Sequence, residues 1–182
     1  CMNLPNKITL LRVILIPFFI VFMMLDGSAF QWAALIVYVV ASLTDFVDGQ
    51  LARRMNLVTD FGKFMDPLAD KMLVAAAMIL FVERGIMPAW VVIVIIAREF
   101  IVSGFRMIAA EKGVVIAAGW WGKIKTAESM VMLVLILLFE ALGLHDGAVY
   151  VIEQVLIYLA MVLTIISMID YLVKNKGVIE SC

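Results

Sequence analysis

Four aspartates stand out in a chain that is otherwise mostly apolar: Asp45, Asp48, Asp66 and Asp70. Asp45, Asp48, Gly49 and Ala52 fall at i, i+3, i+4 and i+7, the spacing of one helix face. Gly62, Asp66 and Asp70 fall at i, i+4 and i+8, again one face. The spacing therefore predicts two helix faces, each with two carboxylates and a glycine. If the helices lie side by side, the four carboxylates converge on one pocket, where unpaired they would repel one another and lose their hydration. Divalent cations remove that conflict. With no His or Cys nearby, the donors are all hard oxygens, which suits Mg²⁺, Mn²⁺ or Ca²⁺ and argues against zinc. Four carboxylates suit two ions bridged about 4 Å apart, the arrangement that clamps a transferring phosphoryl group. The spacing is not that of an EF-hand, which takes ligands from alternate residues of a loop. Gly49 and Ala52 on the carboxylate face let either a ligand or a neighbouring helix come close to the backbone.

A second polar set follows. Arg98 and Arg106 lie within an apolar stretch, and Lys123, Lys125 and Thr126 open the next one. An arginine inside a membrane costs ~2.5 kcal/mol or more on insertion scales. These cations are suited to an anionic substrate, with arginine gripping phosphate in bidentate fashion. Two plainer roles compete: Lys123 and Lys125 as anchors at the membrane surface, and Arg98 as the ion-pair partner of Glu99 or of a motif aspartate. Glu128, Glu140, Glu153 and Asp170 are isolated acids, expected near helix ends or in hydrogen bonds between helices. His145 falls in a turn and is assigned no role.

The elements that must position these residues are membrane helices. The chain has 182 residues, 65% of them hydrophobic, and a mean hydropathy of +1.12. Soluble domains are only about half apolar. A net charge of −1 without a basic tail gives no footprint for nucleic acid. Six apolar spans are predicted, at about 8–25, 29–52, 60–82, 88–110, 123–142 and 149–173, forming a single domain over 1–182. A short polar segment, residues 2–7, is expected at the interface, with Asn6 capping the first helix and Thr59 or Asp60 the third. The residues between Glu111 and Gly122, with Trp120-Trp121, read as a connection. Pro67 falls inside the third helix or in its first turn. The first apolar run has no small-residue cleavage site behind it and reads as a retained helix. Cys1 stands ahead of a Met that reads as a natural start, and Cys1 and Cys182 make neither metal spacing nor a disulfide framework. An even number of spans puts both termini on one side. Of the 14 Lys and Arg, all but Arg84 fall on that side, so the termini and the aspartates are expected to face the cytoplasm. Trp32, Trp90 and Tyr150 near outer span ends, and Trp120-Trp121 near an inner one, fit an aromatic belt.

Taken whole, Asp45-x2-Asp48-Gly49-x2-Ala52-Arg53-x8-Gly62-x3-Asp66-x3-Asp70 resembles the signature of the CDP-alcohol phosphotransferases, with all eight fixed positions at the family spacing. Outside the motif, Leu4-Pro5-Asn6-Lys7-Ile8-Thr9-Leu10-Leu11-Arg12, Ala97-Arg98-Glu99-Phe100 and Gly122-Lys123-Ile124-Lys125-Thr126 are similar to the bacterial members of the family that make phosphatidylglycerophosphate. The resemblance implies an all-helical integral membrane enzyme with six transmembrane helices, a homodimer of the plasma or inner membrane. The implied reaction is transfer of the phosphatidyl group from CDP-diacylglycerol to sn-glycerol 3-phosphate, releasing CMP. It implies further that Asp45, Asp48, Asp66 and Asp70 hold two ions, Mg²⁺ or Mn²⁺, and that Asp70 also serves as the catalytic base. Asn6, Thr9, Asp48, Gly49, Ala52, Arg53 and Gly62 would contact the CDP moiety. Arg98, Arg106, Lys123 and Lys125 are expected to bind the acceptor phosphate in a pocket beside the metals. Two alternatives stand against this: the same chemistry with serine, inositol phosphate or phosphatidylglycerol as acceptor, and a divalent-cation transporter. A transporter would need acids deep in several spans, whereas these four cluster at one end.

Overall fold

The computed structural model describes the backbone at 4–55, 60–111 and 119–175, and the side chains at 10–44, 68–69, 71–109 and 119–175. The described residues form six helices: α1 (Leu4–Met24), α2 (Ser28–Met55), α3 (Asp60–Glu83), α4 (Ala89–Glu111), α5 (Trp120–Leu142) and α6 (Gly147–Lys174). They match the predicted spans closely because apolar runs and helix-ending residues are local properties of the chain. Gly27, Gly85 and Gly143, with φ of 127°, 74° and 66°, stand after α1, α3 and α5. After α5 the amide of Gly143 donates to the Glu140 carbonyl (3.1 Å) and that of Leu144 to Phe139 (3.0 Å). This pair of bonds is a Schellman cap, whose left-handed position favours glycine.

Two local expectations are corrected, and one left open is decided. α1 is already helical at Leu4, so Asn6 lies within its first turn and does not cap it, and no interfacial segment separate from α1 runs to residue 7. Pro5 fits that first turn because an amide there has no helical partner to lose. Trp120, Trp121 and Gly122 open α5 and do not belong to a connection. Of the two positions left open for Pro67, the structure takes the first: α3 continues as helix through position 67, well past its first turn.

The helices gather into two compact units. The first comprises Cys1–Glu83 with Leu133–Asp146. In it α1 packs against both α2 and α3, which also touch each other. Phe19, Met23, Tyr38, Ala41, Met78, Phe81, Ile136 and Leu137 are its fully buried core. The rings of Phe19 and Tyr38 pack with centroids 5.7 Å apart. Ser28 Oγ donates to the Ala141 carbonyl (3.2 Å), tying the start of α2 to the end of α5. His145 Nδ1 lies 3.7 Å from Glu140 at the same end of α5.

The second unit comprises Arg84–Met132 with Gly147–Cys182. Here α4 packs on α6. Gln154 Nε2 donates to the Ile86 carbonyl (3.0 Å), and the Trp90 and Tyr158 rings meet at 6.2 Å. α6 buries Glu153, Ile157, Ala160, Thr164, Ser167 and Tyr171, a stripe at alternating spacings of four and three. Four of those six are polar, while Val151, Val155, Leu159, Val162 and Ile169 face outward. A water-soluble helix has the reverse distribution. Gly119, just before α5, sits so close to α6 that a Cβ there would lie 3.1 Å from Asp170 Oδ2, and Asp170 is paired with Lys174 at 2.7 Å. All six helices, at 21 to 28 residues, reach the ~30 Å of a bilayer's apolar core at ~1.5 Å per residue. Among the described residues, α6 is the one helix both long and apolar enough to cross; the apolar stretches Leu10–Met24 of α1 and Ser28–Thr44 of α2 are shorter.

Candidate active site

The eight fixed positions of the aspartate motif all lie on helix. Asp45, Asp48, Gly49, Ala52 and Arg53 occupy the last turns of α2, and Gly62, Asp66 and Asp70 the first turns of α3. Their side chains lie outside the described residues, as do those of Asn6 and Thr9 on α1. The backbone supplies the register on which the convergence argument depends: continuous helix over both segments puts 45, 48, 49 and 52 on one face of α2, and 62, 66 and 70 on one face of α3. The two helices touch within one unit, and α1 packs on both. The donor set of four carboxylates, on adjoining helices and without thiol or imidazole, fits hard divalent cations. Around it the described side chains are fixed. Ala69, between Asp66 and Asp70, is fully buried. Thr44, immediately before Asp45, turns its hydroxyl back to the carbonyls of Val40 (2.6 Å) and Ala41 (2.9 Å). Arg12 of α1, only 1% exposed, donates from Nε to the same Ala41 carbonyl (3.3 Å). The turn of α2 that leads into the motif is thus bound to α1 by a buried cation. Sequence reading counted Arg12 only as a positive charge near the start of a span and missed this contact, since nothing in the sequence links residues 12 and 41.

The second unit holds the other candidate residues. Arg98 is buried at 9% exposure and Lys125 at 3%, although they lie on different helices. Glu99 joins them: its Oε1 accepts from Arg98 Nη1 and from Lys125 Nζ, both at 2.8 Å. Arg98 Nη2 also donates to Ser167 Oγ on α6 at 2.6 Å. Arg106, two turns further along α4, places its guanidinium 5.9 Å from the centre of the Tyr171 ring, a cation–π contact. The Nε atoms of Arg98 and Arg106 are buried without a hydrogen-bond partner among the described residues. Both carboxylate oxygens of Glu128, one turn beyond Lys125, are likewise buried and unpartnered. Lys123, by contrast, is exposed and stands apart from this cluster. At Glu99 two cations share one carboxylate, and Arg98 keeps a buried donor to spare, which is the chemistry of an anion site. The structure therefore brings Arg98 and Lys125 together through Glu99, sets Arg106 two turns away against Tyr171, and leaves Lys123 at the surface. It also realises the ion pair between Arg98 and Glu99 named as an alternative. Lys125 as the second partner of Glu99, and Ser167 as a partner of Arg98, had no sequence signal, because these contacts span 26 and 69 residues.

Paired carboxylates on adjoining helices and a cationic cluster on helices further along the chain define an enzyme class. The chain belongs to the CDP-alcohol phosphatidyltransferase family, whose model matches residues 2–166. Within that class it is similar along nearly its whole length to relatives named CDP-diacylglycerol–glycerol-3-phosphate 3-phosphatidyltransferase. It is 42% identical to that of Bacillus subtilis over 95% of both chains. It is 39% identical to that of Haemophilus influenzae, with 96% of this chain and 94% of the relative covered. The Escherichia coli K12 protein is 42% identical over 93% of each.

Proposed function

We propose that this protein transfers the phosphatidyl group of CDP-diacylglycerol to sn-glycerol 3-phosphate, giving phosphatidylglycerophosphate and CMP. The observation that carries the reading is the helical register of the eight motif positions, five on α2 and three on α3, in a chain matched over 95% of its length by a relative with this activity in its name. Asp45, Asp48, Asp66 and Asp70 hold two divalent ions, Mg²⁺ or Mn²⁺. When bound, such ions neutralise the diphosphate and stabilise the CMP leaving group. Asn6, Thr9, Asp48, Gly49, Ala52, Arg53 and Gly62 bind the CDP moiety, the small residues by letting it approach the helix backbone. Asp70 takes the proton from the acceptor hydroxyl as that oxygen forms its bond to the β-phosphorus. The bond from that phosphorus to the CMP oxygen breaks, and CMP leaves with the electron pair. Arg98, Arg106 and Lys125 bind the acceptor phosphate, with Lys123 in a peripheral role that matches its exposure.

The same proposal places the protein in the plasma or inner membrane as a homodimer, with six spans and with the termini and motif on the cytoplasmic side. Support comes from the exposed Phe18, Ile36, Ile79, Ile93, Phe100, Val131 and Val155, which need an apolar solvent, and from the polar buried stripe of α6. The 13-to-1 asymmetry of Lys and Arg supports the orientation. An apolar environment also suits the acyl chains of a lipid substrate.

The test is an acceptor panel with CDP-diacylglycerol in detergent, combined with titrations on Arg98→Ala and Arg106→Ala. CMP release is expected with glycerol 3-phosphate and not with serine, inositol phosphate or phosphatidylglycerol. A charge-assisted bond to phosphate is worth roughly 1.5–3 kcal/mol, so each variant should lose about ten- to a hundredfold in kcat/KM for glycerol 3-phosphate. CMP affinity should stay near the wild-type value. Wild-type kinetics in both variants would make these arginines structural, and turnover with another acceptor would redirect the substrate assignment.

A further inference from the structure

Glu99 is an unusual residue to find between two cations of a phosphate site, since a carboxylate repels the ligand. Its geometry gives it a different use. One oxygen, Oε1, receives both Arg98 Nη1 and Lys125 Nζ at 2.8 Å. The two nitrogens are thereby no farther apart than the sum of those two contacts, close enough for a single tetrahedral phosphate to span. The contact crosses from α4 to α5, and Ser167 Oγ fixes the other end of the same guanidinium from α6 at 2.6 Å. α4 and α5 thus meet at the Glu99 carboxylate, and α4 and α6 at the Arg98 guanidinium. Lysine loses more rotamer freedom on ordering than most side chains, and a binding site that orders it beforehand spares the ligand that cost. Glu99 also supplies the counter-charge that makes burial of Lys125 at 3% exposure tolerable before any anion arrives. One carboxylate shared by two cations leaves a net positive charge, and donors remain on both groups.

We propose that Glu99 is a positioning residue for the acceptor phosphate: it sets Arg98 and Lys125 at a fixed spacing, with Ser167 as the second anchor of Arg98, and does not itself touch substrate. The inference rests on the assignment of Arg98 and Lys125 to the acceptor, and it assigns roles to two residues that the assignment does not use.

The experiment is a two-substrate kinetic comparison of Glu99→Gln, Glu99→Asp and Ser167→Ala in detergent, with CMP binding as the measure of intact folding. Glu99→Gln keeps the size and removes the charge. It should raise KM for glycerol 3-phosphate about tenfold while kcat and KM for CDP-diacylglycerol change by less than about twofold. Glu99→Asp keeps the charge and should fall between Glu99→Gln and wild type. Ser167→Ala should raise the same KM by roughly threefold. In the double variant Glu99→Gln with Lys125→Ala, the two losses should not add, because both remove one arrangement. An unchanged KM for glycerol 3-phosphate in Glu99→Gln, or in Ser167→Ala should Glu99→Gln fail to bind CMP, overturns the inference. A lowered KM also overturns it, by showing that the carboxylate competes with the acceptor. If Arg98→Ala and Lys125→Ala leave that KM unaltered as well, the acceptor assignment itself has failed. If only the Glu99 and Ser167 variants are silent, the positioning role alone has failed.

Discussion

At the scale of the residue, the four motif aspartates carry charges that an apolar chain would not keep without a ligand. Replacing Asp45, Asp48 or Asp66 with Asn keeps the shape and removes a hard anionic donor. Each of these variants is expected to lose turnover while still inserting and unfolding at the wild-type temperature. EDTA should inactivate the wild type, and Mg²⁺ or Mn²⁺ should restore it. Full activity in chelator would remove the metal from the reading. Asp70→Asn separates two roles of one carboxylate: as base, Asp70 should affect kcat far more than CDP-diacylglycerol binding. Equal losses in both would make it chiefly a metal ligand. The glutamate beside Arg98 shows how residue type alone misleads. A carboxylate next to an arginine reads as a pair that cancels, yet here it gathers a second cation from another helix.

At the scale of the element, the helix ends are set by single residues. Gly143 holds φ at 66°, and the two hydrogen bonds around it close the C-terminus of α5. No atom lies within 4 Å of a Cβ built at this position, so strain there is conformational and not a clash. Gly143→Ala should therefore cost about 1 kcal/mol, seen as a lower unfolding temperature in detergent with kcat unchanged. Gly143→Asn should lose less, because asparagine tolerates the left-handed region. An unfolding temperature equal to wild type in Gly143→Ala would show that the cap contributes nothing. The same logic explains why the expected boundaries of α2, α3, α4 and α6 fell within about three residues of those observed: each end is written in its own few residues. The start of α1 was misplaced because Asn6 was weighed as a cap, whereas Pro5 just ahead of it suits a first turn.

At the scale of the whole molecule, the proposed topology has a direct consequence for labelling. With Cys1 and Cys182 replaced by serine, a single cysteine at His145, in the turn between α5 and α6, should react with a membrane-impermeant thiol reagent on intact cells. A single cysteine at Lys174, near the end of α6, should react only after the membrane is opened. Reaction at Lys174 in intact cells would invert the orientation, and equal protection at both sites would deny that α6 crosses. α6 makes this test sharp, since it combines 28 residues of helix with an apolar outer surface and a polar buried stripe.

The number of helices, their approximate ends, the turns at Gly27, Gly85 and Gly143 and the pairing of carboxylates along each helix face were legible in the sequence. All of these depend on neighbours a few positions apart: apolar run length, backbone freedom at a glycine, and the 3.6-residue repeat. The eight motif positions named the chemistry for the same reason, because their spacing lies within two adjoining helices. Only the tertiary structure decided which cations share a site. It separated Lys125, which is buried, from Lys123 two residues away, which is exposed, and it gave Lys125 to Glu99. It buried Arg12 against Ala41 and set Ser167 against Arg98 across 69 residues. Those outcomes follow from how helix faces rotate toward one another in packing, and a buried charge must find its partner wherever that packing brings one.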